Sequence, residues 1–322
     1  SLDGSKSSGY GLPQDLEYIF FKGGPHPNPN GMSPYATAFT GSNYYDTSTN
    51  RESNLKYDLQ NKGVSVEFWL KKDAFDNTKT EKEIIFDLWN GRTFNTPTYG
   101  RLTIEMSGAA ENGQNPFLIT ALSGTTGVTR ASLTSDTTFT TASVADGLWH
   151  HYAVTLMSVR GKLESRFYVD GTLKDTISHG PGTTAINEVT GTLRANLGAA
   201  ITTPAGTSAA IYSGKLSGSI DEFRYWKTRR TSKDIGRFWF TQVGGGTNTD
   251  PAPNTDTQED VNTNLGVYFK SNEGITGITA RDQKVLDYSG RVSNGTWTGY
   301  STSSRSTGSA MVLSLAATKE FK

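Results

Sequence analysis

No cysteine occurs anywhere in the 322 residues. That rules out a disulfide framework and a thiolate metal site. Stability must then come from core burial, which a chain of this length can supply. Charge of either sign in excess is also missing: Lys+Arg and Asp+Glu are both 31. A nucleic-acid-binding surface leaves a basic footprint, so nucleic acid drops out as a partner, and so does electrostatic docking to a membrane. No run approaches the roughly 18 apolar residues that a membrane span requires. The first eleven residues, SLDGSKSSGYG, lack the basic and apolar regions of a signal peptide. They read as a flexible segment cut from something longer.

What the chain does contain is glycine (35 residues), abundant Thr and Ser, and 11% aromatics. This is the composition of short strands joined by glycine turns. VSVEFWLK (Val64–Lys71) alternates cleanly, with Val64, Val66, Phe68 and Leu70 on one face and Ser65, Glu67, Trp69 and Lys71 on the other. Further strands are expected at Leu16–Lys22, Tyr35–Phe39, Asn43–Asp46, Ile84–Leu88, Leu102–Met106, Phe117–Leu122, Val128–Leu133, Leu163–Val169, Leu193–Gly198 and Leu265–Lys270. WHHYAVTLM (Trp149–Met157) is apolar on both faces and so belongs in the middle of a sheet. Asn90-Gly91 and Asp170-Gly171 are tight-turn signals. A single short helix is expected from Ser232 to Gln242, opened by a Thr231/Asp234 capping box with Ile235, Phe238 and Trp239 at helical spacing.

The stretch GKLSGSIDEFRYWKTRRTSKDI (Gly214–Ile235) carries a strand with a carboxylate pair in its middle. Strict alternation puts Ser219, Asp221, Phe223 and Tyr225 on one face and Glu222 on the other. Asp221 beside aromatics must be hydrogen-bonded, paired or metal-bound, whereas Glu222 is expected to be a solvated charge near Arg224. Arg229-Arg230, with Lys227 and Lys233, reads as a solvated basic helix entry.

Five pieces together resemble the laminin-G-like branch of the concanavalin A-like jelly rolls. YATAFTGSNYYD is similar to that family's F-D-G-x-D-D-Y opening, and VSVEFWLK to its F-T-V-S-A-W-V-K strand. DGLWHHYAVTLM with SRFYVDGTLKD is similar to W-H-H-V-A-V-T … L-Y-V-D-G. GSIDEFRYWKTRRTSKDI resembles G-x-I-D-E-V-R-I-Y-N-R-A-L-S-x-E-E-I, and YFKSNEG … VLDYSGRVSNGTW resembles F-N-E-G … D-x-S-G-x-G-N-G. The resemblance implies an all-β fold: a jelly-roll sandwich of two antiparallel sheets with one short helix. It divides the chain into an N-terminal extension (1–34), the sandwich (35–300, with a polar loop at 244–264) and a tail (301–322). The F-N-E-G piece usually comes first in such domains and comes last here. Either a second copy begins at Leu265, or the last strand closes the sandwich from the other end, which is the favoured expectation. The Phe240-to-Gly246 helix exit and the NLGVYFKSNEGITG … VLDYSGRVSNGTWTGY run are also similar to large virion proteins of marine tailed bacteriophages.

The family includes lectins, adhesion modules, glycoside hydrolases and structural virion domains, so function must be argued from sites. Hydrolases of this fold carry Glu-x-Asp-x-Glu on a strand, placing acid and nucleophile on one face. The nearest acidic clusters, Glu81-Lys82-Glu83 and Glu259-Asp260, do not fit, and neither a G-x-S-x-G elbow nor a phosphate-cradling glycine loop appears. His150 and His151 are adjacent on a strand and point to opposite faces; a Ser-His-Asp triad is left open. The expectation is a non-enzymatic structural or adhesion module of a virion surface or extracellular protein, with other virion or surface proteins and glycan as partners. A secreted bacterial carbohydrate-binding module or lectin is the alternative, and a divergent glycoside hydrolase the third reading. Sugar binding needs an aromatic platform with planar polar groups around it, which the Trp89-Asn90-Gly91-Arg92 turn and Tyr99 offer; Tyr44, Tyr45 and Trp226 are weaker candidates. The resemblance further implies a calcium site built on Asp221, the Gly41 turn and Asp46, since calcium takes carboxylate and backbone oxygens. Its competitor is a purely structural Asp221 that accepts backbone N–H bonds.

Overall fold

In a computed structural model of the chain, the residues described are 40–41, 55–75, 82–108, 115–200, 214–243, 264–289, 294–297, 300–301 and 310. Strands β1 (Thr40–Gly41), β2 (Val64–Lys71), β3 (Lys82–Trp89), β4 (Gly100–Ser107), β5 (Phe117–Ser123), β6 (Thr126–Ser132) and β7 (Trp149–Val159) come first. They are followed by β8 (Lys162–Val169), β9 (Thr172–Ser178), β10 (Leu193–Leu197), β11 (Ser219–Trp226) and β12 (Leu265–Phe269). The short pair β13 (Lys284–Val285) and β14 (Gly295–Thr296) completes the set. Helix α1 spans Ser232–Phe238 and α2 Thr279–Asp282, and a 3-10 turn covers Thr141–Ser143. The expected strands at 16–22, 35–39 and 43–46 lie outside the described residues.

Two six-stranded antiparallel sheets make the sandwich. The front sheet runs β1-β10-β3-β4-β5-β6 and the back sheet β12-β11-β2-β7-β8-β9. The double-apolar strand β7 is interior, between β2 and β8, as its sequence requires. β12 is hydrogen-bonded along β11 at the edge of the back sheet. One core fills the space between the sheets. Val64, Val66, Phe68, Leu70, Tyr152 and Phe167 enter it from behind, and Phe86, Leu88, Leu102, Ile104, Phe117 and Ile119 from the front. At Asp170-Gly171 both residues have positive φ, 47° and 74°, the geometry that a two-residue hairpin demands.

The polar side of β2 departs from expectation. Ser65, Glu67 and Trp69 are as buried as their apolar neighbours, because α1 and its exit lie over this outer face of the back sheet. Trp239 stacks on Trp69 with ring centroids 5.6 Å apart, and Ile235 packs against Ala153 and Tyr168. The capping box opens α1 as the sequence predicts: Thr231 Oγ1 accepts from Asp234 N at 3.2 Å, and Asp234 Oδ2 accepts from Thr231 N at 3.3 Å. The helix ends at Phe238, four residues short of the predicted end, and α2 is a second short helix that its sequence did not announce. Among the described residues no helix is long and apolar enough to cross a membrane.

Candidate functional site

The carboxylate pair of β11 is rearranged by a β-bulge. Asp221 opposes Trp69 and Arg224 opposes Glu67, so two residues of β11 stand against the single residue Phe68. Glu222 takes φ +51° to make this possible, a left-handed conformation that costs a non-glycine residue about 1–2 kcal/mol. Alternation therefore breaks. Residues directly opposed across an antiparallel pair share a face, so Asp221 lies on the outer face with Trp69, not with Phe223 and Tyr225, which enter the core. Glu222 is not solvated either. It is 1% exposed, accepts from Gln242 Nε2 at 2.9 Å and from the Tyr268 hydroxyl, and lies 3.6 Å from Arg224 Nη2.

In the basic stretch after β11, Lys227 and Arg230 are buried rather than solvated, Arg229 is half-buried, and Lys233 is exposed. Arg230 Nη1 donates to Glu67 Oε1 at 2.7 Å and stacks 4.2 Å from the Trp226 ring, Arg229 pairs with Glu164, and Lys227 is 2% exposed. Glu67 is the hub: Arg224 Nη1 and His151 Nε2 each lie 3.5 Å from its Oε2. Burial works to raise its carboxyl pKa, but Arg230, the His151 hydrogen bond and Arg224 together hold it well below the usual carboxylate range. His150, on the other face of β7, lies between Asp170 (2.7 Å) and Asp146 (3.0 Å). Those hydrogen bonds, Asp170 first, raise its pKa to about 9 against the effect of burial.

Asp221, Gly41 and Asp46 are not assembled into a metal site by the described elements. Gly41 pairs with Leu193 in the front sheet, Asp221 faces outward from the back sheet, and Asp46 lies outside the described residues. Asp221 Oδ1 accepts from Glu222 N at 2.9 Å and Oδ2 from Ala310 N at 2.7 Å. Both oxygens thus face N–H donors, which is the geometry of a strand anchor and not of a cation ligand. Burial, reinforced by Glu222 and Glu273, pushes its pKa up to about 7 despite those two bonds. Among the described residues no cluster of three His, Asp or Glu side chains has metal-binding geometry.

The turn at the end of β3 does gather its expected residues. Asn90 Oδ1 accepts from Gly100 N (3.0 Å) and Arg92 N (3.3 Å), while Nδ2 donates to Thr98 O (2.7 Å) and Thr190 O (3.2 Å). One side chain thereby stitches three loop segments together, and its polar atoms are used by the scaffold. Trp89 Nε1 donates to Arg92 O at 2.9 Å, fixing the indole against the turn. Gly91 has φ +74°, and nothing lies within 4 Å of the position a Cβ would take there, so glycine serves the turn's backbone and not a close contact. Tyr99 is not an exposed platform. It is 3% exposed and edge-on to Phe94 at 5.5 Å, because the Asn90 bonds draw the 98–100 segment inward. Trp226 is fully buried, and Tyr44 and Tyr45 lie outside the described residues.

On the outer face of the front sheet, Trp89 occupies a row that the sequence did not disclose. Arg194 of β10 and Arg101 of β4 oppose it on either side, and the Arg101 guanidinium lies 5.6 Å from the indole. In the next row stand Asn196, Asp87, Thr103 and Thr120. Asp87 is gripped by Arg101 through two bonds, 2.7 Å to Nε and 2.6 Å to Nη2, and by Thr103 Oγ1 at 3.0 Å. The next row places Glu105, bonded to Arg130 Nε at 2.6 Å, opposite Ile84. Trp89 is half-buried, and Arg92 and Arg194 are exposed. Cross-strand partners sit about 5 Å apart at Cβ, so exposed Arg194 flanks the indole on one side, while Arg101 on the other and Asp87, Thr103 and Thr120 in the adjoining row are buried and serve the scaffold.

No curated protein matches the chain. Among solved structures it is similar to a Bacteroides ovatus protein provisionally assigned to carbohydrate binding (16% identity, TM-score 0.41, 75% of this chain and 52% of that one). It is also similar to domains LG4-5 of the mouse laminin alpha1 chain (16%, 0.32, 55% and 40%). A third is the binding domain of botulinum neurotoxin DC in complex with SialylT (15%, 0.34, 57% and 37%). The match spans about half of the first of these chains and less than half of the other two. A laminin G family model, described as the concanavalin A-like lectin/glucanases superfamily, matches residues 39–236, well over half of the chain. With the two-sheet antiparallel sandwich, that match places the chain in the concanavalin A-like lectin/glucanase superfamily, to which it belongs as a laminin-G-type domain.

Proposed function

We propose that this domain is a non-catalytic glycan-recognition module of a virion-surface or extracellular protein, and that it binds sugar on the outer face of the front sheet around Trp89. The observation that carries the proposal is the indole locked to Arg92 O by its own N–H and set in one cross-strand row with Arg194 and Arg101. A rigid aromatic surface with planar hydrogen-bonding groups beside it suits a sugar ring, whose C–H face stacks while its hydroxyls are read from the side.

The carboxylates on this face support recognition over hydrolysis. Glycoside hydrolysis needs one carboxyl free to give a proton and another free to attack or to activate water. Asp87 is instead held in a two-bond ion pair, and Glu105 is paired with Arg130. The same binding chemistry serves a virion adhesion module and a secreted carbohydrate-binding module; the residues of the Trp89 row do not distinguish them, whereas location in the particle or the medium does.

A glycan array followed by calorimetry on the best ligand tests the proposal. Wild type is expected to bind and Trp89→Ala to lose binding by at least ten-fold at a temperature where both proteins are fully folded. Binding unaffected by Trp89→Ala, or turnover of the bound glycan, would sink it. Immunodetection with antibodies to the domain, on intact particles and in culture medium, separates the two locations.

A further inference from the structure

We infer that the Trp89 row selects sugars bearing a carboxylate, a conclusion that rests on the glycan-binding proposal above and names its ligand class. The chain has no general basic surplus, with 31 cationic against 31 anionic side chains, so a local excess of positive charge is a property of this place. Three arginines belong to this part of the sheet: Arg194 and Arg101 oppose Trp89 on the two neighbouring strands, and Arg92 lies in the turn, its backbone carbonyl accepting the indole N–H. Only Arg101 is neutralised, by Asp87. Arg92 and Arg194 are exposed and make no ion pair among the described residues. The segments beside them, TFNTPT after Arg92 and TGTL before Arg194, contain no acid, and the neighbour of Arg194 in the next row is Asn196, not a carboxylate.

The arrangement separates two jobs. Asp87 orients Arg101 beside the indole through two bonds, and that pair is a fixed neutral wall. Arg194 stands on one flank and Arg92 in the adjoining turn, both exposed and without an ion pair among the described residues. A guanidinium presents a planar fork that matches a carboxylate with two parallel N–H···O bonds. A sugar ring stacked on Trp89 carries its exocyclic carboxylate outward at ring level, toward the flanking guanidinium groups. A neutral hexose in the same position offers a hydroxymethyl group, which accepts one bond and gains nothing from charge. A sulfate ester is anionic too, but it is tetrahedral and does not match the planar fork as well, so the carboxylated class is the one assigned.

The experiment is a calorimetric or affinity-electrophoresis series with polygalacturonate, alginate and polysialic acid, each with its methyl ester as a neutral counterpart, and with dextran sulfate as a second anion. The proteins are wild type, Arg92→Gln, Arg194→Gln, the double arginine variant and Trp89→Ala. At least one carboxylated polymer is expected to bind roughly ten-fold or more tighter than its ester, the scale of a charge-assisted hydrogen bond, with affinity falling as salt rises. The double variant is expected to bind acid and ester alike, and Trp89→Ala to lose both. Equal binding of acid and ester by wild type, unchanged in the arginine variants, overturns the carboxylate inference while leaving glycan recognition standing. Tighter binding of dextran sulfate than of every carboxylated polymer also overturns it. If no polymer or neutral glycan binds and Trp89→Ala changes nothing, glycan recognition itself fails.

Discussion

Glu67 and Arg230, 163 positions apart in sequence, form a 2.7 Å ion pair beneath α1, with both side chains almost wholly buried. The pair joins the middle of β2 to the entry of the helix and so fastens the helical layer to the outer face of the back sheet. Arg224 shares the load: its guanidinium also donates to the backbone carbonyls of Phe238 (3.1 Å) and Thr241 (2.5 Å), where the helix exits.

Removing one member of a buried pair leaves the other charged and unpaired, at a cost of about 3–5 kcal/mol. Arg230→Ala is therefore expected to lower the urea unfolding free energy by that amount. Since Glu67 has a depressed folded pKa, its stabilisation is present above the unfolded carboxyl value and is lost as pH falls through the folded one. Acid unfolding of wild type should thus be steeper than that of Glu67→Gln. A loss below about 1 kcal/mol in Arg230→Ala would mean that the helix is held by apolar packing alone.

Asp221 behaves oppositely. Its folded pKa is raised to about 7, so the stability linked to its protonated form is present below the unfolded value near 4 and declines as pH rises through 7. The slope from one such group is at most about 1.4 kcal/mol per pH unit. Chemical denaturation of wild type and Asp221→Asn at half-unit intervals from pH 4 to 6.5, below the window in which His150 titrates, should show this decline in wild type and its absence in the variant. Parallel curves would refute it.

His150 sets a third window. With a folded pKa raised to about 9 by Asp170 and Asp146, it contributes stability that is complete below about pH 6.5 and is lost as pH rises through 9. His150→Gln is expected to be less stable than wild type at pH 6 and to converge with it above pH 9.5. The His150 ring signal followed by NMR titration gives the folded value directly, and a midpoint at 6.5 or lower would exclude the carboxylate clamp.

Calcium is not expected at Asp221, whose two oxygens face backbone amides. The melting temperature is expected to be the same in millimolar calcium and in chelator. A rise in calcium that Asp46→Ala abolishes would establish a site involving the segment around that residue.

Most strands were legible because their signals are local. Alternation gave β2, two-sided apolar character placed β7 inside a sheet, and Asp170-Gly171 fixed the β8–β9 hairpin. The Glu222 bulge was not legible: nothing in SIDEFRYW marks a left-handed residue, and strict alternation put Asp221 on the core face, while Glu222 lies near Arg224 as expected but buried instead of solvated. The buried state of Glu67, Arg230 and Lys227 was hidden for another reason. Charged residues look solvated until a second layer or a buried partner is known: the helix over Glu67 lies far along the chain, and Arg230, at the entry of that helix, is paired with Glu67 across the same 163 positions. At the candidate site, turn chemistry located Trp89, Asn90 and Arg92, but Arg194 and Arg101 come from other strands, and only the register of the sheet brings them to the indole.

Asn90 is where fold and site meet most closely. Its side chain makes four hydrogen bonds that hold the Arg92 amide, the Thr98–Gly100 segment and Thr190 around the base of Trp89. Asn90→Ala removes all four and leaves the Gly100 and Arg92 N–H groups without this acceptor, a cost of about 1–3 kcal/mol. Asn90→Asp keeps the oxygen that accepts from Gly100 and Arg92 but replaces the NH2 donor with a second oxygen aimed at the Thr98 and Thr190 carbonyls, so it should be as unstable as the alanine variant or more so. Both variants should weaken glycan binding through loss of turn geometry, with a larger effect on affinity than the stability loss alone explains at temperatures where the protein is fully folded. The check is paired: unfolding by urea, and glycan affinity at 10 °C. Full affinity in folded Asn90→Ala would show that Trp89 needs no support from the turn, and would move the positioning role to the Arg101–Asp87 pair.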